Sequence, residues 1–278
     1  EWPANARLND SVSRELTTEE LKIASSKCVK LVHLLCDVFR DESELVREVL
    51  QSAPLLQTLC FAPQSKISVA SFSLFANCIA NVAPKLKLKQ LKLRLVCDRD
   101  EQFESTFETL MISVGNLQHL QAFALNVGKD KLSLQCVRHT TAAVRSLLDR
   151  HLLFLQFEDL SGQPFFESLG SCCSKVVGLS LLGSTVHDIG AACKLLERMP
   201  KLSHLELCLP RLKDLEVLTN FFGAQFRAIR HLELSFLHLD NEVDVCSFSQ
   251  ALARNSRLEH FEVFGADLVD VSVAQRLV

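Results

Sequence analysis

Three stretches decide how this chain folds: "LSHLEL" at 202–207, "IRHLEL" at 229–234 and "LEHFEV" at 258–263. Each has apolar residues at its first, fourth and sixth positions, with His and Glu flanking the fourth. Such alternation over so short a run suits a half-buried β-strand, because successive side chains on a strand point to opposite faces. The apolar frame returns further upstream without the His and Glu. It stands at "LQTLCF" (56–61), "LKQLKL" (88–93), "LQAFAL" (120–125), "LLFLQF" (152–157) and "VVGLSL" (176–181). Start-to-start spacings along the eight matches are 32, 32, 32, 24, 26, 27 and 29 residues. A ninth match, "LVHLLC" at 31–36, suits a helix as well as a strand. Periods of this size point to a repeat architecture, in which each unit buries its apolar face only by stacking on its neighbours.

Between the short runs lie segments with helical spacing of apolar residues, among them "QCVRHTTAAVRSLLDR", "DIGAACKLLERMP" and "DLEVLTNFFGAQFRAI". "DESELVREVLQSAP" adds a capping box, Asp41 with Glu44, and closes on Pro54. Each unit therefore reads as strand, turn and returning helix. An all-helical solenoid of two-helix repeats is the competing architecture, but "HLELSFLHL" and "HLELCLPRL" alternate too strictly for helix.

This pattern resembles the leucine-rich repeat in its longer, helix-containing, ribonuclease-inhibitor-like form, over about residues 30–278. The last four units match best, adding a further apolar residue at Val186, Leu212, Leu239 and Leu268 and sharing the lead-ins "RMPKL" and "RNSRL". The chain departs from the family at its usual Asn or Cys ladder. Those positions hold Gln64, Val96, Gly128, Leu160, Ser184, Pro210, Leu237 and Ala266, so irregular turns are expected. The resemblance implies an α/β solenoid, a horseshoe with a concave parallel sheet and convex helices. Residues 1–30 are expected to form an N-terminal extension and capping helix, and 31–278 a repeat domain of eight or nine units.

In that register the residues between the inward-pointing apolar ones face outward. His204, His231 and His260 form one outward column, and Glu206, Glu233 and Glu262 a second beside it. Repulsion among the carboxylates costs little if they face water, and the imidazoles are expected to offset it by taking up protons at about pH 6 to 7. Upstream, the same face carries Phe154, Gln156 and Glu158, then Ala122, Ala124 and Asn126, then Lys92 and Arg94 after Lys85, Lys87 and Lys89. The face thus runs from basic to acidic.

A protein partner on this sheet is expected, with a basic segment against the C-terminal half. A small-GTPase regulator, as some relatives of the resemblance are, is the second reading, and a metal-dependent enzyme using the His and Glu columns the third. No catalytic, cofactor or metal residue is assigned, because parallel register spreads the six side chains along the sheet while metal ligands must converge. No HExxH, GxSxG or phosphate-loop motif is present in the sequence. A net charge of -3 and the absence of aromatic residues within the Lys run speak against nucleic acid. No apolar run is long enough to span a bilayer, and the first residues lack the basic and apolar regions of a signal peptide. The 11 cysteines are odd in number, lie in apolar surroundings and form no CxxC pair, which suits buried thiols in the cytoplasm or nucleus.

Overall fold

A computed structural model of the chain describes residues 33–36, 50–51, 55–62, 66–97, 99–128, 132–158, 163–170, 172–185, 189–211, 214–225, 228–238 and 250–265. The sequence-based expectations for 1–30, for the Asp41–Glu44 capping box and for the end of the chain lie outside these residues. The chain divides into two compact units, Glu1–Phe154 and Leu155–Val278.

Unit 1 holds strands β1 (His33–Cys36), β2 (Thr58–Phe61), β3 (Gln90–Arg94) and β4 (Ala122–Asn126), each paired in parallel with the next. Helices α1 (Val69–Val82), α2 (Glu101–Gly115) and α3 (Leu134–Leu148) alternate with them and pack side by side. Strand β5 (Phe154–Glu158) spans the boundary. Unit 2 holds β6 (Gly178–Thr185), β7 (His204–Arg211), β8 (His231–His238) and β9 (His260–Gly265), again parallel in sequence order. Its helices are α4 (Gln163–Leu169), α5 (Ile189–Leu196) and α6 (Asp214–Gln225). Strand–helix alternation around parallel sheets makes the chain α/β and is compatible with a solenoid.

All nine strands among the described residues begin at the third position of the six-residue apolar frame, including the ambiguous match at 31–36, which is strand at His33–Cys36. A shared backbone device sets this start. The main-chain carbonyl just before one strand accepts the N–H groups of two successive residues at the start of the next. Gln57 O takes Lys89 N and Gln90 N at 2.8 and 3.0 Å, and Lys89 O takes Gln121 N and Ala122 N at 2.8 and 3.0 Å. In unit 2, Ser203 O takes Arg230 N and His231 N at 2.8 and 2.9 Å, and Arg230 O takes Glu259 N and His260 N at 2.8 and 2.9 Å. The starting ends of these strands are therefore held by main chain, whatever the side chains.

The first, fourth and sixth positions of the frame supply the core. Leu56, Leu59, Leu88, Leu93, Leu205, Leu207, Leu232 and Leu234 have no measurable exposure. Fully burying a leucine is worth about 1.5–3 kcal/mol, so these ladders are a large favourable term in each unit. In unit 1 phenylalanines join strand to helix and helix to helix. Phe61 of β2 stacks on Phe75 of α1 at 4.1 Å between ring centroids, and Phe72, Phe103 and Phe107 continue at 5.5 and 5.7 Å. These rings sit where a tyrosine hydroxyl would need a partner, which favours Phe at such sites.

The helices start where their caps are. Ser68 accepts from Ser71 N at 3.1 Å, Asp100 from Gln102 N and Phe103 N at 2.9 and 3.0 Å, and Ser133 from Cys136 N at 3.2 Å. In place of the missing Asn ladder, individual turns use local solutions. Asn126 Oδ1 accepts from Gly128 N at 2.8 Å, and Gly128 has φ 77°, a left-handed conformation that glycine adopts without steric cost.

Candidate functional site

The outward columns of unit 2 are in register as the alternation requires. His204 pairs with His231 and His231 with His260, while Glu206 pairs with Glu233 and Glu233 with Glu262. Strands about 4.8 Å apart leave flat rings little choice but to lie face to face. The His204 and His231 rings stack at 4.0 Å and 14°, and His231 and His260 at 4.3 Å and 11°. Along β7 the His204 Nε2–H donates to Glu206 Oε1 at 2.7 Å, and on β9 His260 Nε2 lies 2.9 Å from Glu262 Oε1.

Crowding changes the electrostatics expected from the sequence. The carboxylate column does not simply face water: Glu233 is 8% exposed, and the side chains of His204 and Glu206 are 16% and 19% exposed. Nor does the middle imidazole take up a proton near neutrality. Burial, followed by the neighbouring His204 and His260, pushes the pKa of His231 down to about 4, against the opposing pull of Glu206 and Glu262. The middle ring is thus neutral at physiological pH. For Glu206, burial opposes ionisation most strongly. The hydrogen bond from His204, the nearby Ser180 hydroxyl and the electrostatic influence of the neighbouring imidazoles, His204 first, together outweigh it, so its pKa is lowered. Ser180 sits opposite Glu206 on β6, is 7% exposed, and its Oγ makes no hydrogen bond of good geometry.

His204, Glu206 and His231 place one potential ligand atom each, nitrogen or carboxylate oxygen, all within 4.8 Å of one another. Counting strand separation alone misses this convergence. Glu206 turns back on its own strand to His204, and ring stacking brings His231 alongside.

The remaining sequence-predicted residues lie elsewhere and are not gathered into one site. Lys92 is exposed on β3, with Cys60 and Ala124 as its register partners. Arg94 is half-buried opposite Asn126, and its Nε lacks a hydrogen-bond partner. Phe154, Gln156 and Glu158 are half-buried on β5, and Gln156 Nε2 donates to Glu158 Oε1 at 3.0 Å. Ala122 and Ala124, read as outward surface, are buried at 6% and 3%, because small side chains sink between longer neighbours on adjacent strands.

Unit 1 also has a cleft of about 330 Å³ at the starting edge of its strands, lined by Leu55, Gln57, Lys87, Lys89, His119, Gln121 and His151. The sequence noted two of its lysines but not the cleft. The signal was present: positions 55, 87, 119 and 151 are 32 residues apart and so form a column.

Cys60, Cys78, Cys97, Cys136, Cys173, Cys193 and Cys208 are buried thiols, and Cys172 is a half-buried one. Burial raises Cys136, takes Cys173 up to about 11 and takes Cys193 up to about 12, well away from a reactive thiolate. No described helix is long and apolar enough to cross a membrane. Comparison of the chain with protein-family models gave no match, and comparison with curated proteins gave none either.

Proposed function

We propose that this chain is a divergent leucine-rich-repeat module that works without catalysis, holding a protein partner on the outward columns of its sheets. The observation that carries this reading is the alignment of His204, His231 and His260 beside Glu206, Glu233 and Glu262. Glu206 and Glu262, on either side of the buried Glu233, present partly exposed carboxylates to anything laid across the strands. A basic, extended segment of a partner meets these with complementary charge, and the flat imidazole stack offers it an apolar and cation-attracting surface alongside. In unit 1, Lys92 with Lys87 and Lys89 supplies cationic groups that suit an acidic segment. The buried, high-pKa thiols suit a reducing compartment, cytoplasm or nucleus.

The test is a peptide array of basic, acidic and neutral extended sequences, probed with the chain and with the triple variant Glu206→Gln, Glu233→Gln, Glu262→Gln. Gln preserves side-chain shape and avoids burying a new positive charge at position 233. Retention of the far-ultraviolet circular dichroism spectrum establishes that the variant is folded. Binding of basic peptides that is lost in the variant supports the reading. The same peptides bound equally by both proteins, or no preference for basic peptides, would remove it.

A further inference from the structure

We infer that His204, Glu206 and His231 form a binding site for one divalent transition-metal ion, Zn²⁺ being the best fit, on the outward face of unit 2. This goes beyond the partner-binding proposal and does not depend on it. Two imidazoles and one carboxylate are a nitrogen–oxygen donor set of the kind zinc takes in sites that keep a fourth position open. Ligand atoms around a tetrahedral zinc are about 3.3 Å apart, given zinc–ligand bonds near 2.0–2.1 Å. Here the three donor atoms already lie within 4.8 Å, and His204 Nε2 and Glu206 Oε1 are 2.7 Å apart. Closing the gap takes side-chain rotation only, since β7 and β8 stay in register with the ligands at positions 204, 206 and 231.

A further feature of the site points to a ligand. The Ser180 hydroxyl is buried, makes no hydrogen bond of good geometry, and sits opposite Glu206 in the β6–β7 register. If Glu206 turns one oxygen to a metal ion, the other is free to accept from Ser180, as the outer partners of metal-bound carboxylates commonly do. Protons balance simply. The ion takes the Nε2 lone pair of His204, the proton formerly shared with Glu206 moves to Nδ1 of the same ring, and His231 binds in its neutral form. The fourth position is left to water or to a donor from outside the chain.

The experiment uses the whole chain after chelator treatment. Zn²⁺ is titrated calorimetrically, and Co²⁺ is added separately as a spectroscopic substitute. The expected result is one Zn²⁺ per chain, with a Co²⁺ spectrum free of thiolate charge-transfer bands. Ser180→Ala should weaken binding about tenfold, as loss of an outer partner does. Glu206→Gln and His231→Asn should weaken it further, and His119→Asn in unit 1 should leave it unchanged. If a ligand variant fails to fold, histidine footprinting of the unaltered chain takes over: Zn²⁺ should protect His204 and His231 from acylation and leave His119 reactive. Absence of binding, a thiolate signature with Co²⁺, affinity unmoved in folded Glu206→Gln, or no protection of His204 and His231 would each overturn the assignment.

Discussion

Replacing Leu232 by Ala tests the packing on which both columns depend. Leu232 has no exposed surface and lies between Leu205 and Phe261 in the register of β7, β8 and β9. Its side chain is flanked by outward-facing His231 and Glu233, so inward and outward effects can be compared within a few residues. The substitution removes three carbons, about 2.4 kcal/mol at roughly 0.8 kcal/mol per buried methylene. An unrelaxed cavity of about 60 Å³ adds about 1.4 kcal/mol at 24 cal/mol per Å³. The expected loss is therefore about 4 kcal/mol. Glu206→Gln, outward on β7 and partly open to solvent, should cost less than about 1 kcal/mol. Urea unfolding followed by circular dichroism gives both values by linear extrapolation. Hydrogen exchange locates the damage, because a repeat touches mainly its neighbours and the amides of β7, β8 and β9 should lose protection first. A loss below 1 kcal/mol for Leu232→Ala, or one no larger than that of Glu206→Gln, would refute the inward assignment of the frame and with it the outward placement of the His and Glu residues.

Other predictions follow from single contacts. Because the folded-state pKa of His231 lies below its unfolded value, its contribution to stability is present above pH 6.5 and is lost as pH falls toward about 4. The effect is discounted for solvent screening to about 1–2 kcal/mol. Urea midpoints measured across that range should drop for the natural chain and drop less for His231→Asn; equal slopes would contradict it. Asp100→Ala removes the acceptor for two first-turn amides of α2 and should cost about 1 kcal/mol by the same measurement. Gly128→Ala places a Cβ on a residue at φ 77° and should cost about 1–2 kcal/mol, whereas Gly128→Asn should recover part of the loss.

The frame of apolar residues was legible in the sequence because its cause is local. A strand alternates whatever surrounds it, and eight in-order matches at similar spacing leave stacking as the way to bury them. The helical segments between the runs and the burial of thiols such as Cys193 belong to this class. The ambiguous run at 31–36 does not, since His33–Cys36 is strand only by pairing with Thr58–Phe61.

What the sequence by itself determined is which residues share a column: His204 with His231 and His260, and Glu206 with Glu233 and Glu262. Period two and repeat spacing suffice for that. What only the tertiary structure decided is what those columns are chemically. Stacking of the rings at 4.0 and 4.3 Å, burial of Glu233, the turn of Glu206 back to His204 and the place of the Ser180 hydroxyl across the strand all depend on rotamers and on neighbours 26 to 29 residues away. Charges read as solvated passengers on a surface are, at close range, a coupled group in which one ring is held neutral and one carboxyl is held ionised, because the spacing between strands is smaller than the side chains it must separate.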